Sequence, residues 1–201
     1  MVEINNEPIE VWFNQKQCTT LFETIKSVDK KPLNLSYHQE RVNRAYKDFY
    51  KTSVKFNLKD IIKPPLNKLL RIKVVYNKEG VVDISYHSYK PKNIKKILLI
   101  ENKEFEYSFK YLNRDFFEYL YKKFDSDEFI ITQNGYLRDF TIGNIALFKD
   151  YWISPKKVLL EGTALKRFSY ILKREEVSYK SLAKCNGVAL LNAMVDFRIL
   201  K

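Results

Sequence analysis

The chain has 201 residues, 45% hydrophobic and 15% aromatic, which suits one large or two small folded domains and excludes a disordered or low-complexity polymer. Its 36 Lys and Arg against 24 acids give +12, but the charges alternate, as in Lys122-Lys123-Phe124-Asp125-Ser126-Asp127-Glu128, so neither a basic tail nor a nucleic-acid partner is expected. No apolar run reaches the roughly 18 residues of a membrane span, two Cys and two His (Cys18, Cys185, His38, His87) exclude a disulfide framework and a Cys- or His-rich metal site, and the N-terminus has no leader pattern, so no membrane partner and a cytoplasmic location are expected.

Residues 9–13 and 20–28 alternate and are rich in β-formers, which predicts strands. Asp29 to Pro32 reads as a turn. Ser36 is the expected cap of a helix reaching about Tyr50, with Val42, Ala45, Tyr46 and Phe49 on one face. A short helix at 58–63 should stop at Pro64-Pro65. Leu69 to Tyr76 and Val81 to Tyr89 read as strands joined by a turn at Asn77 to Gly80, and Lys90-Pro91-Lys92 as a linker. Then follow a strand at 95–101, a helix at 114–123 and a strand at Phe129 to Thr132. Asn134-Gly135 is a hairpin turn into Tyr136 to Asp139. Asn144 to Phe148 and Tyr151 to Ser154 pair, a helix follows Gly162, and Val188 to Leu191 is the last expected strand. This is an α+β pattern in two lobes. The expected boundaries are 1–90, an N-terminal α+β lobe, and 91–201, a C-terminal β-rich lobe.

Several residues stand out chemically. Only five glycines occur, so each marks a backbone need. Gly162 precedes a helix, where free N–H groups suit a phosphate, though an ordinary turn explains it as well. His38 and Arg41 share a helix face, with Arg44 one turn on. An inward Arg suits phosphate or carboxylate, and a solvated basic face is the plainer alternative. Lys110 lies in the apolar stretch Tyr107 to Leu112. There a Lys either loses its proton and becomes a nucleophile, or reaches out to solvent. Asp139 can pair with Arg138 or with a cationic ring nitrogen.

In order, the segments Leu21-Phe22-Glu23-Thr24-Ile25-Lys26, Tyr37-His38-Gln39-Glu40-Arg41-Val42, Phe109-Lys110-Tyr111-Leu112-Asn113-Arg114, Asp127-Glu128-Phe129-Ile130-Ile131, Asn134 to Asp139, Asn144-Ile145, Trp152 to Pro155, Leu160-Glu161-Gly162-Thr163 and Leu191-Asn192-Ala193-Met194 resemble the fold-type IV pyridoxal-phosphate (PLP) enzymes, the class IV aminotransferase family. That family includes branched-chain and D-amino-acid aminotransferases and 4-amino-4-deoxychorismate lyase. The resemblance runs from about residue 20 to 194. Lys110-x-Leu112-Asn113-Arg114, Asn192-Ala193 and Thr24 look closer to the lyase branch.

The resemblance implies a two-lobed fold-type IV architecture like that of D-amino-acid aminotransferase, shortened at both termini, with the cofactor lysine in the C-terminal lobe. It implies that Lys110 bonds covalently to PLP and then moves the proton. Asp139 would meet the protonated pyridine nitrogen. Arg41 would bind the phosphate with the N–H groups of Thr163 and Ala164, and Asn192 would lie close by. Thr24 and Lys26 would face a small anionic substrate, Lys26 standing where relatives often carry an Arg. The implied reaction is conversion of 4-amino-4-deoxychorismate to 4-aminobenzoate and pyruvate, in folate synthesis, by a homodimer. An aminotransferase of a small amino acid is the second reading. A non-catalytic or nucleic-acid-binding homologue is a third, from a different class. Asp139 stands where the family usually has a Glu, and is one methylene shorter. The Arg that often follows Gly-x-Thr is absent after Gly162, with Lys166 and Arg167 just beyond.

Overall fold

A computed structural model of the protein describes residues 2–13 and 18–200. In chain order the first strands and helices are β1 Glu3–Ile4, β2 Ile9–Glu10, β3 Leu21–Val28, β4 Lys31–Pro32, α1 Leu35–Ala45, α2 Leu58–Ile61, β5 Leu70–Asn77 and β6 Gly80–Ser88. After them come β7 Lys96–Glu101, α3 Asp115–Lys123, β8 Glu128–Gln133, β9 Tyr136–Phe140, β10 Gly143–Phe148, β11 Trp152–Pro155, α4 Thr163–Arg167, β12 Leu172–Glu175, β13 Gly187–Asn192 and β14 Asp196–Leu200. The α+β class and two-lobed architecture expected from the sequence are what the structure has.

The lobes are not separated by a single cut after residue 90. One unit comprises residues 18–91 with 109–113; the other comprises 2–13, 92–108 and 114–200. Pairing explains the difference. β1 and β2 lie parallel to β7, so the start of the chain belongs with the later residues. Tyr111 bridges Leu21, and the Phe22 N–H donates to the Lys110 carbonyl at 2.9 Å, so the lysine segment belongs with the earlier ones.

The first unit is a four-stranded antiparallel sheet, β4-β3-β5-β6, with α1 on one face. Alternation sets the faces of β3: Leu21, Glu23, Ile25 and Ser27 are buried on the helix side. Val42, Ala45 and Tyr46 meet Leu21, Ile25, Ile72 and Val74 in one apolar cluster. Burying each large side chain in such a cluster contributes roughly 1.5–3 kcal/mol. The cap of α1 differs from the expectation. Asn34, in the left-handed region at φ 57°, starts the helix, and Ser36 lies inside it. Asn tolerates that conformation, which lets the chain turn sharply out of β4. The regular α-helix stops at Ala45, and Tyr46–Tyr50 continue as one wider π-helical turn.

The second unit is built on a ten-stranded sheet, in which β7-β8-β9-β10-β11-β12 are neighbours and β13 pairs with both β10 and β14. The β8–β9 hairpin turns at Asn134 and Gly135, with φ of 53° and 78°. Its core includes Ile97, Leu99, Ile130, Leu137, Ile145, Leu147 and Leu190. Two expectations change here. Of the strand read over 9–13, only Ile9–Glu10 form a regular strand, with the Val11 N–H still donating to the Glu101 carbonyl at 2.9 Å. Val188 to Leu191 is not the last strand, because Asp196–Leu200 follows it back across β13.

Candidate active site

In the first unit the centre of polarity is Glu23. Its position on β3 places a carboxylate among apolar neighbours, fully buried. α1 answers it with two residues one turn apart. Arg41 donates Nε to Oε1 at 2.8 Å and Nη2 to Oε2 at 2.6 Å. His38 Nδ1 also lies 2.6 Å from Oε2. Burial alone would raise the Glu23 pKa, but the Arg41 charge and the hydrogen bonds from both partners outweigh it and hold the carboxyl at about 2. Burial pushes the His38 imidazole below its ordinary value, against the opposing effect of Glu23, and the Lys110 charge adds to the lowering. A neutral His38 therefore donates Nδ1–H to an ionised Glu23. The solvated basic face considered for α1 does not apply: the His38 side chain is 1% exposed and that of Arg41 10%.

Lys110 does not lie within a strand. It sits in the irregular segment between β7 and α3, held against the start of β3. Its Nζ lies 4.6 Å from the centre of the Phe22 ring. Thr24 and Lys26 alternate with Glu23, so they share the sheet face of Phe22, opposite Lys73 and Arg71 of β5. The first unit thus holds Thr24, Lys26, Arg41 and Lys110.

The second unit holds Asp139, Thr163, Ala164 and Asn192. Asp139 is buried on β9. Its Oδ1 accepts from Asn144 Nδ2 at 2.6 Å, and its Oδ2 from the N–H groups of Leu159 and Leu160 at 2.8 and 3.0 Å. Burial pushes its pKa up to about 7, against those three hydrogen bonds. It does not pair with Arg138, which alternation sends to the other side of β9 to meet Gln133 at 3.1 Å. Asn144 binds the same turn, donating to the Leu160 carbonyl at 2.8 Å and accepting from the Gly162 N–H at 3.1 Å. Gly162 has φ −74°, open to any residue. What it provides is closeness: a Cβ there would lie 2.2 Å from Asn144 Oδ1. Thr163 and Ala164 open the five-residue α4. Asn192 accepts from the N–H groups of Met194 and Val195 at 2.9 and 3.0 Å and donates to the Ile142 carbonyl at 3.1 Å, closing the turn from β13 to β14.

Three contributors have no role in the sequence reading: Glu23, Phe22 and Asn144. Glu23 carries a readable signal, an acid on the strand face otherwise formed by Leu21 and Ile25. Asn144 carries none in its local pattern, since besides Asp139 its partners are backbone groups of Leu160 and Gly162, sixteen and eighteen residues on.

These donors fit PLP. A carboxylate has about four lone-pair positions, and Asp139 accepts three N–H bonds. A buried carboxylate whose pKa has risen lacks a cation, which a protonated ring nitrogen supplies. In the first unit, taken by itself, Lys110 offers a primary amine of the kind that forms a Schiff base.

No family model matches the chain. An uncharacterized protein of Haemophilus influenzae is 31% identical over 184 residues, spanning 87% of this chain and 97% of that one. Among solved structures, a provisionally assigned 4-amino-4-deoxychorismate lyase from Haemophilus somnus is 29% identical, with a TM-score of 0.79 over 90% of this chain and 98% of that one. A provisionally assigned amino-acid aminotransferase from Mesorhizobium loti shares the fold at 16% identity, with a TM-score of 0.72 over 90% and 98%. In fold, along nearly its whole length, the chain is similar to the fold-type IV PLP-dependent enzymes, the class IV aminotransferase family.

Proposed function

We propose that the protein is a lyase that converts 4-amino-4-deoxychorismate to 4-aminobenzoate and pyruvate, for folate synthesis. The observation that carries this reading is the likeness to the Haemophilus somnus protein along nearly its whole length. The segment Lys110-x-Leu112-Asn113-Arg114 and the pair Asn192-Ala193 support it from the sequence.

PLP bound through Lys110 supplies an electron sink for the substrate carbon that bears the amine. The Lys110 amine, when free, would take the proton from that carbon. The bond from the neighbouring ring carbon to the ether oxygen would then break, the ring would become aromatic, and the departing enolpyruvate would become pyruvate on taking up a proton such as the one Lys110 holds. Asp139 holds the ring N–H. Arg41 and the N–H groups of Thr163 and Ala164 hold the phosphate, with Asn192 beside it. Thr24 and Lys26 orient the anionic substrate. A cytoplasmic homodimer is part of the proposal.

Aminotransferase activity on a small amino acid is the second reading, favoured by the likeness to the Mesorhizobium loti protein. The test is to load the purified protein with PLP and record its visible spectrum before and after borohydride, beside Lys110→Ala. A band that borohydride abolishes and the variant lacks is expected. Release of 4-aminobenzoate and pyruvate without any keto acid supports the lyase. Turnover only with 2-oxoglutarate replaces it with the aminotransferase. Absence of the band at saturating PLP overturns both.

A further inference from the structure

Glu23 and Arg41 meet side by side rather than end to end. The Nε–Nη2 edge of the guanidinium lies along both carboxylate oxygens, at 2.8 and 2.6 Å. Two parallel bonds to a planar fork fix its direction as well as its position. Oε2 also meets His38 Nδ1 at 2.6 Å, so the carboxylate itself is held from a second direction. Beyond the stability that the ion pair gives, a two-bond fork fixes the plane and direction of the guanidinium. Its distinctive product is one orientation of Arg41, with Nη1 turned away from Glu23.

We propose that Glu23, seconded by His38, is a positioning residue that aims Arg41 at a phosphate monoester, and so sets the preference for the phosphorylated cofactor over its dephosphorylated form. This rests on the reading in which Arg41 meets the phosphate of PLP. Glu23 itself touches neither cofactor nor substrate.

The experiment compares binding of PLP and of pyridoxal, by absorbance titration and borohydride trapping, in the wild type, Glu23→Gln, Glu23→Asp and Arg41→Lys. In Glu23→Gln the PLP dissociation constant is expected to rise by about tenfold or more, the scale of one misaimed charge-assisted hydrogen bond, with that for pyridoxal changing less than about threefold. Glu23→Asp, which keeps the charge and serves if Glu23→Gln does not fold, should fall between. Adding Glu23→Gln to Arg41→Lys should cost nothing further. Equal weakening of PLP and pyridoxal, or full additivity with Arg41→Lys, would overturn the inference and leave Glu23 a structural residue. A wild type that binds PLP no better than pyridoxal would overturn it too, while leaving the covalent role of Lys110 standing. A wild type that traps neither compound removes the cofactor reading itself.

Discussion

Asn144 and Asp139 are joined by a 2.6 Å hydrogen bond from Nδ2 to Oδ1, and both side chains bind the same 159–162 turn. The acid is therefore held by its own neighbouring strand and by the segment that leads into α4. This cradle fixes where the Asp139 carboxylate ends.

Asn144→Ala should consequently cost more than its size suggests. It removes three hydrogen bonds and leaves Asp139 Oδ1, the Leu160 carbonyl and the Gly162 N–H without that partner. About 2–4 kcal/mol of stability should be lost, since groups left unsatisfied in a buried place each cost about 1–3 kcal/mol. Urea denaturation of the variant beside the wild type measures it. A loss under about 1 kcal/mol would mean that water replaces the amide there.

Asp139 makes the cofactor-free protein less stable as pH rises from about 4 toward neutrality. Burial pushes its carboxyl pKa up to about 7 when folded, against an ordinary 3.8. Stability from this group is fully present below about pH 4 and is lost as pH rises through 7, a difference on the order of 4 kcal/mol. Melting temperatures of the cofactor-free wild type and Asp139→Asn across pH 4 to 8 test this. The wild type should fall relative to the variant as pH rises, and PLP should flatten the trend by supplying a cation. Parallel curves would show that the buried carboxylate ionises without penalty.

What the sequence showed depended on range. β3, β5 and β6 follow from alternation and a short turn, so local patterning predicts them, and the Asn134-Gly135 hairpin comes from backbone chemistry alone. β1, β12 and β14 do not. Glu3–Ile4 becomes a strand because it meets Lys96–Ile97 more than ninety residues on. Leu172–Glu175 (Leu-Lys-Arg-Glu) has too little alternation to be read without β11 beside it. The site divides in the same way. His38 and Arg41 are legible as one helix face, and Lys110 and Asp139 through their family segments. The Asn144 cradle and the Glu23 pairing depend on folds of the chain that bring distant residues together. The division at residue 90 failed for that reason too, since strand pairing across the chain decides which unit a segment joins.

Gly162 and Gly187 form a matched pair of tests. Neither has a positive φ, so alanine should gain about 0.4–1 kcal/mol at either through a stiffer unfolded chain. At Gly187 the added methyl meets Phe148 Cβ at 3.5 Å, an ordinary contact. At Gly162 it would lie 2.2 Å from Asn144 Oδ1. Gly187→Ala should thus stay within about 1 kcal/mol of the wild type, and Gly162→Ala should lose about 1–3 kcal/mol through overpacking. PLP affinity should fall in Gly162→Ala alone, because its turn carries two of the donors to Asp139. Equal behaviour of the two variants would remove the close approach as the reason for Gly162.

Glu23 and His38 predict two separate acid transitions. His38 has a folded pKa below its ordinary 6.5, so its contribution is present above about pH 6.5 and is lost as pH falls toward the folded value. Glu23 has a folded pKa of about 2 against 4.5. Its contribution is present above about pH 4.5 and is lost as pH falls toward 2, on the order of 3 kcal/mol. Once the opposing contribution of Asp139 is subtracted, urea denaturation of the cofactor-free protein between pH 7.5 and 3 should therefore show two steps of weakening. His38→Gln, which keeps a hydrogen-bond donor but cannot titrate, should lose the upper step and keep the lower. Glu23→Asp, which retains an acid one methylene short of the Arg41 edge, should keep the upper step and show a smaller lower one. A single step in the wild type, unchanged in both variants, would mean that the imidazole and the carboxylate ionise outside this cluster's control.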